Sequence, residues 1–159
     1  SQTDIWLSPL WIVDALGPFD FDPCGAPEGS SHDCAKRVNR LPSDGLSAEW
    51  GGRVWLNPPY SNVGPFIARL AEHGRGPALL YARTDTKWFH ESIARKASLI
   101  ALVRGRVQFS RQDGTPGTAS PAPSMLIAYG AEDAMRLCSA IREGKIKASI
   151  LMTVEASAA

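Results

Sequence analysis

The residues whose types and spacing best suit chemistry are Asn57-Pro58-Pro59-Tyr60, which end the run Arg53-Val54-Trp55-Leu56. Two prolines cannot continue a central ladder, so a strand stops here in a stiff turn that is poor in donors. Asn57 offers a side-chain carbonyl and Pro58 a main-chain one, and together they can accept both hydrogens of a planar exocyclic amine. Tyr60 adds a flat face on which a purine can stack. A nitrogen held this way keeps its lone pair aimed at an incoming methyl group as it becomes tetrahedral. Orientation then supplies most of the rate, and no general base of unusual pKa is required before attack. The bare tetrapeptide equally suits a Pro-rich turn around a buried Tyr; its place at a strand end favours the chemical reading.

The surrounding pattern predicts the elements that hold this turn. Ala78-Leu79-Leu80-Tyr81-Ala82, Ser98-Leu99-Ile100-Ala101-Leu102-Val103 and Ser124-Met125-Leu126-Ile127-Ala128-Tyr129 are near-continuous apolar runs, as expected of strands buried on both faces. Phe19-Asp20-Phe21-Asp22 reads as a short strand that runs out at Asp22 into a Gly/Pro/Ser loop over 23–32, and 148–154 as a last strand. Helical spacing falls on 10–16, with Ser8 as cap and Gly17 as stop, and on 63–73, 87–95 and 131–143. Alternation of this kind predicts an α/β fold with a mostly parallel central sheet and helices on both faces, its ligands lying beyond the carboxyl ends of the strands. That puts chemistry at Asp22, at Asn57, at Arg83 and just after Val103. Only 34 residues separate Asp22 from Asn57, too few for two full strand–helix units, so this half of the sheet should be abbreviated.

Composition narrows the class. The 159 residues suit one domain over 1–159 without a separate target-recognition domain, and 44% hydrophobic with 21% charged residues excludes disorder as the main state. A net charge of +1 argues against a histone-like coating protein, so any grip on an anionic polymer must come from a local patch. Cys24, Cys34 and Cys138 lack CxxC spacing and His32, His73 and His90 lack ligand spacing; no metal is expected, and the cysteine usage suits a reducing cytoplasm. No apolar run is long enough to span a bilayer, and Ser1–Ile5 opens too polar for a signal peptide.

Two basic groups flank strand ends. Arg83, Asp85, Lys87, Trp88 and Phe89 mix charge with aromatics as expected beside a flipped base and its phosphates, with core packing the alternative for Trp88 and Phe89. Arg104, Arg106 and Arg111 surround Gly105 and Phe109, and 12 arginines against five lysines suit phosphate; for Arg111 a solvated hairpin end is the plainer reading.

Taken together, Trp6-Leu7-Ser8-Pro9, Phe21-Asp22-Pro23-Cys24, Asp44-Gly45-Leu46 with Trp50, the Asn57–Tyr60 turn, Arg83 through Phe89, and Gly105-Arg106-Val107-Gln108-Phe109 resemble the phage-type DNA adenine-N6 methyltransferases. These belong to the amino-methyltransferases dependent on S-adenosylmethionine (SAM). The resemblance implies a Rossmann-like methyltransferase fold, SAM as cofactor, and methyl transfer to the amino nitrogen of a flipped adenine in DNA. Asn57, Pro58, Pro59 and Tyr60 would form the catalytic turn. Asp22, Pro23 and Cys24 would be the SAM-binding turn, although Gly25 and Gly29 form no GxGxxG; a loop cap is the alternative for Asp22. Trp6, Ser8 and Pro9 would fold over the methionine end of SAM, or serve as a helix staple with its cap. Asp44 would be a second carboxylate near the cofactor, or a plain Asp-Gly turn. Arg83, Lys87, Trp88, Arg104 and Arg106 would contact nucleic acid. The rivals are an RNA or protein-glutamine methyltransferase of the same fold and a silent nucleic-acid-binding protein. The only segment spare for reading sequence is 110–123, so specificity should be low or limited to a very short motif.

Overall fold

The computed structural model describes residues 6–30 and 33–152. His32, the opening Ser1–Ile5, the end of the 23–32 loop and the end of the strand expected over 148–154 lie outside the described residues. Elements follow in the order α1 (Leu10–Leu16), β1 (Phe21–Asp22), β2 (Arg37–Val38), α2 (Val63–His73), β3 (Gly76–Tyr81), β4 (Leu99–Val103), β5 (Gln108–Ser110), β6 (Pro116–Ala119), β7 (Ser124–Tyr129), α3 (Ala131–Arg142) and β8 (Ala148–Met152).

Strand periodicity sorts the apolar runs onto two faces, each with its own core. Val54, Leu56, Ala78, Leu80, Met125 and Ile127 pack on one face against Phe66, Ile67 and Leu70 of α2. Trp55, Leu79, Leu126 and Ala128 pack on the other against Ile12, Val13 and Leu16 of α1 and Leu137 and Ala140 of α3. The sheet is therefore covered by helices on both sides, which is why its strands carry no polar alternation. Each fully buried Leu or Ile in these layers contributes about 1.5–3 kcal/mol relative to exposure.

The expectation of a mostly parallel sheet is corrected. The large sheet has the order β3-β7-β4-β8, and each of its three pairings is antiparallel. Parallel neighbours need a helical crossover, whereas the chain leaving β4 makes the β5–β6 hairpin and returns directly as β7 between β3 and β4. Parallel pairing occurs on the other side: β1 with β2, Phe21 with Val54, and Leu56 with Ala78. The segment 53–56 thus joins β1 to β3, through Trp55 N–H to the Phe21 carbonyl (3.0 Å) and Leu56 N–H to the Pro77 carbonyl (3.1 Å). Gly76 is required here: at φ 143°, a Cβ would lie 2.1 Å from the Val54 carbonyl oxygen.

Three local expectations also change. The helix expected over 87–95 spans 87–93, and its Phe89–Ile93 part is wound as a π-turn. Ser8 does not cap α1, whose N-cap is Pro9 with no side-chain bond. The spare segment 110–123, expected as a loop, contains β6. Between Asp22 and Asn57 the described residues hold one two-residue strand and no helix.

Candidate active site

The segment 53–56, β1, β3 and β4 all run the same way, so Asp22, Asn57, Arg83 and Arg104 emerge at one edge of the sheet. At its centre is the Asn57–Tyr60 turn. Pro58 is buried, and Asn57, Pro59 and Tyr60 are half-buried. The Asn57 amide donates from Nδ2 to Ser8 Oγ at 3.0 Å. Tyr60 stacks on Tyr81, with centroids 4.3 Å apart and planes 17° apart, and meets the edge of Phe109 at 6.4 Å.

Two cavities flank this turn. One, of about 390 Å³, runs from Pro23 and Cys24 past Asn39, Asp44 and Phe66 to the Asn57–Asn62 segment. The other, of about 460 Å³, is walled by Tyr60, Tyr81, Arg83, Phe109 and Ser120. Trp6 and Tyr60 line both. Trp6 lies against the hairpin at Gly117, where a Cβ would come within 2.6 Å of its ring, so only glycine lets the indole close in on β6.

The acidic residues are placed by local bonds. Asp22 is buried, and its Oδ1 accepts the Cys24 N–H at 3.0 Å, which is the loop-cap geometry. It lines a small recess shared with Trp6, Leu7, Ser8, Cys24, Ala26 and Cys34 rather than the larger cavity. Burial pushes its carboxyl up to about 7, opposed by the Cys24 hydrogen bond. Burial also raises the Cys24 thiol and pushes Cys34 up to about 12, so neither is a ready nucleophile. Asp44 makes its own turn, accepting from Ser47 Oγ at 2.7 Å and Leu46 N–H at 3.0 Å, which hold its carboxyl below the usual range; it also lines the 390 Å³ cavity. Pro9 lines neither cavity, and its carbonyl accepts the first N–H groups of α1.

Residues 1–148 match the family described as DNA N-6-adenine-methyltransferase (Dam), which is nearly the whole chain. The chain belongs to this family. It is 27% identical over 141 residues to the DNA N-6-adenine-methyltransferase of Haemophilus phage HP1, an alignment covering 81% of this chain and 80% of the relative. It is 30% identical over 107 residues to that of Escherichia phage T1, covering 61% of this chain and less than half, 44%, of the relative. No solved structure matches. The protein is thus a methyltransferase for the N6 amine of adenine in DNA, and the RNA, glutamine and silent-binder readings fall away.

Of the basic residues expected at the DNA, Arg83 lines the methyltransferase's second cavity, with its Cζ 5.7 Å from the Tyr81 ring centroid. Lys87 is exposed and 3.9 Å from Glu91. Trp88 is half-buried against the α2-side core, the alternative weighed for it. Arg104 and Arg106 are exposed on the turn after β4 and line neither cavity. Tyr81 and Ser120 were not singled out from sequence. Tyr81 looked like one more residue of an apolar strand, and Ser120 is a serine in a Gly/Pro/Ser/Thr stretch; its buried Oγ has no protein partner. No helix among the described residues is long and apolar enough to cross a membrane.

Proposed function

We propose that this DNA adenine-N6 methyltransferase binds SAM in the 390 Å³ cavity and a flipped adenine in the 460 Å³ cavity. The observation that carries the reading is that two ligand-sized cavities meet at Trp6 and Tyr60, on either side of the Asn57–Tyr60 turn. The lining suits SAM: Asn39, Ser43 and Asp44 offer polar atoms, Trp6 and Phe66 offer apolar faces, and Asp22 offers a buried acid to a cation from the adjoining recess that shares Trp6, Leu7, Cys24 and Ala26. SAM supplies an electrophilic methyl group when bound. Asn57 Oδ1 and the Pro58 carbonyl accept the two hydrogens of the adenine amine and aim its lone pair, Tyr60 and Phe109 pack the base, and the displaced proton leaves to water. Radiolabel transferred from SAM to adenine N6 in duplex DNA tests the assignment; DNA left unlabelled by protein that binds SAM rejects it.

Asp22 makes SAM binding pH-dependent. With its carboxyl raised to about 7, the ligand-free protein holds a proton there that the unfolded chain has already released, so stability falls as pH rises from about 4 to 7. A bound cation favours the ionised carboxylate. SAM affinity should therefore rise with pH up to about 7 and then level, with proton release on binding visible by calorimetry in buffers of differing ionisation enthalpy. Asp22→Asn should remove this dependence.

For DNA we propose that Arg83, Lys87, Arg104 and Arg106 contact phosphates along the edge where the strands end. Arg106→Ala should lower the slope of log affinity against log salt by roughly one unit. An unchanged slope for all four single variants removes this surface.

Specificity should be low, because little projects to read bases. Among the described residues the β5–β6 turn is the candidate reader, and there Asp113 Oδ1 is engaged by Thr115 N–H and Oγ1, leaving Arg111 and Gln112 exposed. A good bidentate contact discriminates by about 1–3 kcal/mol, enough for one or two base pairs. Modified adenines mapped on random-sequence duplex should share at most a very short motif; five or more fixed bases would exclude this.

A further inference from the structure

We propose that Ser8 is a positioning residue for methyl transfer: its buried hydroxyl holds the Asn57 amide with the carbonyl turned to the target amine. The inference rests on the reading of Asn57 as an acceptor for that amine. An asparagine amide has two ends of nearly the same shape and opposite hydrogen-bonding character, and a turn alone does not choose between them. Only the orientation with Oδ1 toward the substrate can accept from an amine. The opposite one would present two donors to two donors.

The bonds around Ser8 Oγ make the choice. The oxygen has two lone pairs and one proton. Trp55 Nε1 is a donor only and lies 2.8 Å away, which takes one lone pair. The remaining lone pair faces Asn57 at 3.0 Å and requires a donor, which is Nδ2. With Nδ2 on the serine, Oδ1 is left for the substrate side of the turn. Trp55 and Asn57 are two apart on an extended segment, so both side chains point to the same side and reach the same hydroxyl.

Ser8 is itself fixed. It is 7% exposed, lies between Pro9 at the start of α1 and Leu7, and Leu7 exchanges backbone bonds with Ser110 of β5 (2.9 and 3.3 Å). The serine thus ties the catalytic turn to α1 and to the hairpin carrying Phe109. This differs from the role the family resemblance implied for it, which was contact with SAM.

The test is a double-mutant cycle read by single-turnover methyl transfer at saturating SAM and DNA, with SAM affinity and thermal stability measured on each variant. Ser8→Ala should slow transfer on the order of tenfold to a hundredfold, as loss of an outer partner of a reacting group does, with SAM affinity little changed. Ser8→Thr, which keeps the hydroxyl, should recover most of the rate. In the Asn57→Ala background, Ser8→Ala should slow transfer no further, because there is no amide left to orient. The thermal stability of each variant reports loss of fold separately from loss of rate. Ser8→Ala slowing transfer equally in both backgrounds, or not at all, overturns the proposal. Asn57→Ala turning over at the wild-type rate would instead overturn the reading of Asn57 on which it stands.

Discussion

Asn57→Ala should lower methyl transfer on the order of hundreds-fold while SAM affinity changes by no more than a few-fold. In the proposed mechanism the substitution removes one of two acceptors for the amine nitrogen, whose charge changes most at the transition state, and losing one such preorganised partner costs about 10²–10³ in turnover. The expected effect falls on kcat because, in the proposed complex, Tyr60 and Phe109 would also hold ground-state adenine by aromatic packing, and the substitution leaves both rings in place. Asn57 also lines the 390 Å³ cavity, so a role in holding SAM is the competing account. Calorimetric titration separates the two: loss of SAM binding in parallel with activity would make Asn57 chiefly a cofactor residue. Asn57→Asp is informative beside it. A carboxylate accepts from the amine at either oxygen but cannot donate to Ser8 Oγ, so the variant should retain more activity than Ala while losing the anchored orientation.

The turn as a strand end was legible in the sequence because two consecutive prolines stop the ladder locally; the catalytic role read into it is the proposal above. The core was legible for a similar reason. Unbroken apolar runs such as Ala78-Leu79-Leu80 mark strands buried on both faces, and the two cores divide these residues by parity. Pairing direction was not legible. The same runs serve parallel and antiparallel neighbours, and what decides between them is whether 104–123 crosses over as a helix or returns as a hairpin. Gln108–Ser110 is too short, and Pro116–Ala119 too short and too rich in Gly and Pro, to announce a strand. Ser8 shows the same limit at the site. Beside Pro9 it reads as a helix cap, yet its hydroxyl serves residues 47 and 49 positions away, and nothing in local spacing encodes that. Tyr81 likewise becomes part of the site only because Tyr60 folds back onto the end of β3.

Arg53→Met should destabilise the protein by about 3–5 kcal/mol, the cost of leaving one member of a buried ion pair alone. Arg53 opens the segment that ends at Asn57 and is 4% exposed, and its partner Asp133, in the first turn of α3, is 2% exposed. The guanidinium donates to Asp133 Oδ1 from Nε at 3.1 Å and Nη2 at 2.5 Å, and to the carbonyls of Leu16 at 2.9 Å and Pro18 at 2.7 Å. It thereby satisfies the C-terminal end of α1, while Asp133 sits at the favourable end of the α3 dipole. Glu132 approaches Arg53 Nε at 3.7 Å but is half exposed, and adds little by comparison. In the variant the Asp133 carboxylate keeps its burial and loses its counter-charge, and two carbonyls lose their donor. Pairing it with Asp133→Leu removes the stranded charge, so the double variant should be more stable than Arg53→Met alone even though both partners are gone. Urea denaturation of the four proteins measures this. Two single costs that simply add in the double variant would mean that the pair is not coupled and that Arg53 acts only through the Leu16 and Pro18 carbonyls. Because Arg53 lies four residues before Asn57, Arg53→Met should also slow methyl transfer at temperatures well below its unfolding midpoint if the pair sets the register of the segment as well as its stability.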